Sequence, residues 1–335
     1  MTLFISDKEI KNIKCKKEYK MINVVKTIVD EIINNVMERV SEKEKEKNRH
    51  YHTLVLSGGG MKGIALLGAL QHLQDTMHLQ SINKVIGTSI GAMIGYLWII
   101  GYSPIELMVF LCHKQHQELL ESLSLTRWDM VHCIEGNRGA ISYMLIHELL
   151  EKLSLDKIST LLTMHQLKEK FGKELICCTY NRSLHKTEFL DSTKYPDLPC
   201  LTALRMSSAI PFIFDPCFFN NNLYVDGGLV ENIPLSPLDE KEKCIVLYFQ
   251  HPMKETLSKK IEFSFIENIC DLFITVIHQF EHSLLEIFER KQGQPSPSRF
   301  IPILLSIEST LHFNLPKSEI FDMFSLGYQT CKNNL

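Results

Sequence analysis

Between Thr53 and Ile100 the chain runs twice through one pattern: a short apolar run, a glycine-bearing turn, then an apolar stretch long enough for a helix. The first run is Thr53-Leu54-Val55-Leu56-Ser57. It flows into Gly58-Gly59-Gly60-Met61-Lys62-Gly63 and then into a helix expected from Ile64 to Gln74, with Ile64, Leu67, Leu70 and Leu73 on one face. The second run is Ile82-Asn83-Lys84-Val85-Ile86, followed by Gly87-Thr88-Ser89-Ile90-Gly91 and a helix from Ala92 to Ile100. Two strand–helix units in succession point to the α/β class. Parallel strands need a crossover between them, and the crossover helix packs on the sheet.

The remaining elements follow from periodicity and turn residues. Helices are expected over Pro104 to His116, Ala140 to Leu153 and Thr163 to Phe171. Glu174 to Tyr180 reads as a strand, and Lys186 to Leu190 pairs with it across Asn181-Arg182-Ser183. A helix from Leu201 to Ser208 stops before Pro211. Cys217-Phe218-Phe219, Asn220-Asn221-Asn222 and Leu223-Tyr224-Val225 read as a hairpin that delivers Asp226-Gly227-Gly228. Lys243 to Gln250 and Phe300 to Leu305 are further strands, Phe263 to Arg290 a long helix, and Ser318 to Lys332 a terminal one.

Residues 1–50 differ in character. Val24 to Val40 has helical apolar spacing and dissolves into the charge-alternating run Ser41 to His50. A boundary is expected near Arg49, leaving an N-terminal helical, charged extension (1–50) and one domain (51–335) whose motifs lie between about 53 and 232.

Bulk properties exclude some classes. A net charge of −3 over 335 residues gives no general attraction to nucleic acid. The ten cysteines lack metal-type spacing and read as reduced thiols of an intracellular protein. The first residues lack the apolar core and cleavage site of a signal peptide. No stretch approaches the roughly 18 apolar residues of a membrane span. The expectation is an intracellular protein, cytoplasmic or held peripherally at a membrane.

Ser89 sits where a strand turns sharply into a helix, flanked by small residues, which is the context of a nucleophile elbow. The pattern fits a plain glycine-rich turn equally well. A serine nucleophile needs a base. None of the 14 histidines has a turn-rich setting; His251, His278 and His282 are the candidates, and a surface or helix-face position suits each better. Asp226, between a strand and two glycines, is the better-placed base, although Asp-Gly is also an ordinary turn pair. Gly58 to Gly63 could cradle a phosphate at a helix N-terminus or present bare N–H groups to an oxyanion. Its spacing matches neither phosphate-binding glycine pattern.

Taken together and in this order, Gly58-Gly59-Gly60-Met61-Lys62-Gly63, Gly87-Thr88-Ser89-Ile90-Gly91 and Asp226-Gly227-Gly228 resemble the patatin-like phospholipase family. Met206-Ser207-Ser208-Ala209-Ile210-Pro211-Phe212-Ile213-Phe214-Asp215-Pro216 resembles a further block of that family. The resemblance implies a three-layer α/β/α fold with a mainly parallel central sheet. It implies a lipid acyl hydrolase with Ser89 as nucleophile, Asp226 as proton acceptor, and an oxyanion hole in the Gly58, Gly59, Gly60, Met61, Lys62, Gly63 loop. Gly87, Gly91, Gly227 and Gly228 shape the motifs. No metal or organic cofactor is implied. The implied partners are a phospholipid or other lipid ester and, transiently, a membrane surface. Ser57 stands where members often carry aspartate, and Lys62 where arginine is more frequent. Phe212, Ile213, Phe214, Phe218 and Phe219 are candidates for an acyl channel or for ordinary core. An esterase or thioesterase without lipid preference, or an inactive lipid-binding protein of the same fold, are the alternatives.

Overall fold

Alternating apolar side chains send each central strand's residues to two sides, and both sides are covered. The computed structural model describes residues 51–114, 116, 118, 121, 139–239, 242–250, 285–291, 298–305 and 315–335. The 1–50 extension, His251, His278, His282 and most of the helix expected at Phe263 to Arg290 lie outside the described residues.

In chain order the elements are β1 (Thr53–Leu56), a 3-10 turn (Gly60–Lys62), α1 (Gly63–Asp75), β2 (Lys84–Thr88), α2 (Ile90–Ile99), α3 (Pro104–Cys112), α4 (Met144–Ile158), α5 (Met164–Phe171), β3 (Glu174–Asn181), β4 (Lys186–Leu190), α6 (Cys200–Ser208), β5 (Cys217–Phe219), β6 (Asn222–Asp226), α7 (Gly228–Glu231), β7 (Cys244–Gln250), β8 (Arg299–Leu304) and α8 (Lys317–Asn334). The strands form one sheet whose hydrogen-bonded neighbours are β5 with β6, β6 with β3, β3 with β2, β2 with β1, β1 with β7 and β7 with β8, with β4 also paired to β3. β3, β2, β1, β7 and β8 are mutually parallel. β4, β5 and β6 add antiparallel pairs at the β3 side.

Leu54, Leu56, Val85, Leu175, Ile245 and Leu247 face the larger core, built with α1 to α6 and α8. Val55, Ile86, Ile176, Cys244 and Val246 face the opposite way, onto Ile233, Leu235, Leu238 and the helical residues 285–291, which contribute Leu285 and Phe288. Strand alternation thus produces the three layers expected. Among the described residues no single helix is long and apolar enough to cross a membrane. The apolar pair α2 and α3 is bent by 117°, and most of α2 is buried.

Several boundaries shift by a residue or two, β2 running Lys84–Thr88 rather than Ile82 to Ile86, and three differences have a visible physical reason. α4 starts at Met144, because Ala140 and Ile141 are used elsewhere: their N–H groups donate to the carbonyls of Phe212 (3.0 Å) and Ile213 (2.8 Å). α3 opens on a Ser103/Glu106 capping box and ends at Cys112, short of His116. The β5–β6 loop is two residues, not three. Asn220 and Asn221 both take positive φ (48° and 61°), the turn geometry that matches strand twist and that asparagine tolerates.

Candidate active site

The register of β3 explains why two distant segments meet. β2 pairs with Glu174 to Cys178, β4 with Cys177 to Asn181, and β6 with Thr179 to Asn181. β4 overlaps both of the others, so β2 and β6 must share the opposite edge of β3. They abut there end to end: Thr88 lies opposite Cys178, and Asp226 opposite the next residue, Thr179. Ser89 follows Thr88 directly, and is thereby delivered to Asp226.

Ser89 is the N-cap of α2 with φ 53° and ψ −122° and is 6% exposed. A non-glycine residue there is strained, typically by about 1–3 kcal/mol, and is retained only when its surroundings over-determine it. Those surroundings are visible. The Ser89 N–H donates to Ser207 Oγ (3.0 Å), whose hydroxyl donates in turn to the Cys178 carbonyl (2.6 Å). The Ser89 carbonyl accepts from Ala92 (3.0 Å) and Met93 (3.2 Å). A Cβ on Gly87 would stand 2.5 Å from Ala92 N, and one on Gly91 2.6 Å from the Ser57 carbonyl oxygen, so both flanks of the serine require glycine.

Asp226 ends β6 in the protein interior. Its N–H donates to the Ala209 carbonyl (3.0 Å), and its Oδ1 accepts from Gly228 N–H (2.6 Å). Burial pushes the carboxyl up from 3.8 to about 6, and hydrogen bonds from the Ser89 side chain and the Gly228 N–H pull it partly back. Gly227 lies against the Cys178 backbone, where a Cβ would come within 2.7 Å of its carbonyl carbon. Among the described residues no histidine is hydrogen-bonded to Ser89 or Asp226.

The glycine loop closes the third side. A Cβ on Gly58 would stand 3.3 Å from Ser89 Cβ and would overlap the Asn232 amide oxygen. The six residues of the loop are not equivalent. Gly58 N–H is spent on the Asn232 carbonyl (3.1 Å) and Lys62 N–H on the Gly59 carbonyl (3.2 Å). Gly63 N–H goes to the Gly60 and Met61 carbonyls. Gly59, Gly60 and Met61 lead into the 3-10 turn, so their N–H groups have no intrahelical acceptor, and all three are partly exposed. Gly60 has φ 56°, a further reason for glycine. Lys62 is buried under Phe249, its ammonium 5.7 Å from the ring centroid. Ser57 is buried too, and its hydroxyl has no hydrogen-bond partner.

Two supports escaped the reading of the sequence. Ser207 was visible only as part of a motif block, and Asn232, whose carbonyl and Nδ2 both reach Gly58 (3.1 and 3.4 Å), carries no local signal. The phenylalanines divide: Phe214 joins the core with Ile213, Phe219 is half-buried, and Phe212 and Phe218 are 71% and 70% exposed.

The chain is similar to known proteins in the same region. It is 35% identical over 189 residues to a protein of Invertebrate iridescent virus 6 named "Probable lipid hydrolase 463L", covering 56% of this chain and 63% of that relative. It is 26% identical over 298 residues to an uncharacterized protein, R571, of Acanthamoeba polyphaga mimivirus, covering 84% of this chain and 93% of the other. Among solved structures, VipD from Legionella pneumophila aligns with TM-score 0.47 and 17% identity over 85% of this chain and 67% of that one. The family model "Patatin-like phospholipase" matches residues 54–239, more than half of the chain, from the second residue of β1 to beyond α7. The chain belongs to the patatin-like phospholipase family.

Proposed function

We propose that this protein hydrolyses carboxylic ester bonds of phospholipids or lysophospholipids with Ser89 as nucleophile and Asp226 as its base. The observation that carries the reading is Ser89, at a strained strand–helix turn, delivered beside the buried carboxyl of Asp226 by the register of β3. Family membership and the lipid-hydrolase name of the iridescent-virus relative support the lipid ester as substrate.

The chemistry follows from the geometry. Asp226, lifted to about 6, is mostly ionised at neutral pH yet more basic than an exposed carboxylate. It accepts the Ser89 proton as Oγ attacks the ester carbonyl carbon. The oxyanion of the tetrahedral intermediate forms toward Gly59, Gly60 and Met61, whose N–H groups are free to donate. Collapse breaks the ester C–O bond, and Asp226 returns the proton to the departing alcohol. A water, deprotonated by Asp226, then attacks the acyl carbon, the acyl–Oγ bond breaks, and Asp226 returns the proton to Ser89 Oγ as the fatty acid leaves. Gly58, Lys62 and Gly63, with their N–H groups engaged, shape and hold the loop. We place this catalytic unit within 51–335, with 1–50 as a separate extension. Contact with a lipid surface goes with the substrate class.

The test is lipid product analysis on the wild type beside Ser89→Ala. Fatty acid is released from phospholipid or lysophospholipid vesicles by the wild type, and the rate falls about 10⁴-fold or more in the variant. Undiminished release by Ser89→Ala would remove the nucleophile assignment. Preference for monomeric short-chain esters over vesicle lipid would remove the lipid one.

A further inference from the structure

Arg205 lies on α6 two residues before Ser207, the residue that holds the Ser89 N–H. Its guanidinium carbon stands 5.5 Å from the Tyr143 ring centroid, and Tyr143 is in turn tied to α6 through Ser208 Oγ (2.8 Å). Arg205 Nε is buried and has no hydrogen-bond partner, and no carboxylate among the described residues pairs with this side chain. Buried donors of this kind are normally satisfied, because the desolvation cost of an unmet one is large. Arg205 instead lines a cavity of about 380 Å³ together with Thr202, one turn earlier on the same helix face, and His147 of α4. Those three groups supply a planar fork of donors, a hydroxyl and an imidazole, a set suited to a phosphate. The cavity walls also include Met144 and Phe218, which are 52% and 70% exposed. A cationic floor beneath an exposed apolar rim matches a phosphate attached to acyl chains rather than a free anion.

We propose that this cavity binds the phosphate group of a membrane phospholipid, with Arg205 gripping the phosphate and Met144 and Phe218 entering the lipid surface beside it. The choice of a lipid over free phosphate rests on the lipid-hydrolase reading above. Neither Ser89 nor Asp226 lines the cavity, and α6 links the two places through Arg205 and Ser207.

The experiment uses the full chain carrying Ser89→Ala, so that vesicles persist. Sedimentation is measured with vesicles of the phosphate-free lipid digalactosyldiacylglycerol containing phosphatidic acid, and with vesicles of the same lipid given matched negative charge by oleate. Phosphatidic acid vesicles bind about tenfold more tightly than oleate ones, and adding Arg205→Gln removes that difference. Arg205→Lys, which keeps charge but loses the fork, retains part of it. Phe218→Ser weakens vesicle binding and leaves inorganic phosphate binding, followed by thermal shift, unchanged. Equal binding of both vesicle types by the Ser89→Ala protein overturns the proposal, and that result does not depend on whether an Arg205 variant folds. Thermal stabilisation by inorganic phosphate without vesicle binding overturns the lipid assignment. If the wild type releases no fatty acid while Ser89→Ala still selects phosphatidic acid vesicles, the hydrolase reading fails and the phosphate site stands.

Discussion

Gly68 of α1 and Gly327 of α8 face each other's helix backbone where the two helices cross, while Gly58, Gly87 and Gly91 surround Ser89 at the end of the sheet. At the crossing, a Cβ on Gly68 would lie 2.9 Å from Tyr328 N, and one on Gly327 3.0 Å from Ala65 Cα, each also overlapping a carbonyl of the facing helix. At the elbow, Cβ atoms would strike Ala92 N, the Ser57 carbonyl and the Asn232 amide oxygen. The steric demand is the same in both places, and the result differs. At the crossing the backbones pack directly on one another, and Tyr328 adds an edge contact to His72 and a hydrogen bond to Asp75 (3.1 Å). The elbow leaves polar capacity unspent, in a serine at positive φ, a carboxyl lifted to about 6 and three N–H groups that lead into a turn. Close approach in one region packs two helices, and in the other it builds the proposed site, whose strain the rest of the fold has to support.

The contrast can be broken or sharpened by substitution. The largest effect is expected at Asp226. Asp226→Asn lowers kcat/KM by about 10²–10⁴-fold, measured by fatty acid release. It also raises stability at pH 7. A carboxyl whose folded pKa is above its unfolded one favours the folded state fully at pH below 4, and that contribution is lost as pH rises through about 6. The ionised native carboxylate therefore costs on the order of 3 kcal/mol at neutral pH, which the neutral amide avoids in part. Melting curves of both proteins should diverge between about pH 4 and pH 6 and run parallel above. The wild-type kcat/KM should fall tenfold per pH unit below about 6. A variant that loses activity with no pH-dependent gain in stability would show that this carboxyl stores no such cost.

Gly60→Ala comes next. The added methyl opposes a φ of 56° and moves the loop N–H groups, with an expected loss of about 10²-fold in kcat. A full-rate Gly60→Ala enzyme would place the oxyanion elsewhere. Ser207→Ala removes the hydroxyl that bridges Ser89 N–H and the Cys178 carbonyl, and about a tenfold loss of kcat with a loss of about 1–3 kcal/mol in stability is expected. Smallest for activity is Gly327→Ala. It overfills the helix crossing and costs about 1–3 kcal/mol in a denaturant titration, with kcat/KM per folded molecule unchanged. A change in kcat/KM there would mean that the crossing and the elbow are coupled.

Much of this was legible in the residues. The strand–glycine–helix units at Thr53 and Ile82, the apolar face of α1 and the hairpin from Cys217 to Val225, apart from the length of its turn, each act through near neighbours in sequence, so their signatures are local. The start of α4 was misplaced because Ala140 and Ile141 bond to Phe212 and Ile213, some seventy residues away. Asn232 went unnoticed for the same reason, since its partner Gly58 lies at the other end of the motif region. The sequence reading put Gly59 and Gly60 foremost in the Gly58 to Gly63 loop but could not separate their neighbours, because a sequence carries no record of which N–H groups are already bonded.

The chain's own order of residues determined that a serine would sit at a tight strand–helix turn, that an aspartate would end a later strand, and that a bare glycine loop would precede both. These are consequences of backbone sterics and side-chain period, which act within a few residues. Only the tertiary structure decided that β2 and β6 share one edge of β3, so that Thr88 and Asp226 fall opposite consecutive residues. That pairing brings a hydroxyl and a carboxyl 137 positions apart in the sequence into contact, and burial there lifts the carboxyl toward neutrality. Register and desolvation are properties of the assembled sheet, which is why Ser89 and Asp226 form a pair only once the sheet has closed around them.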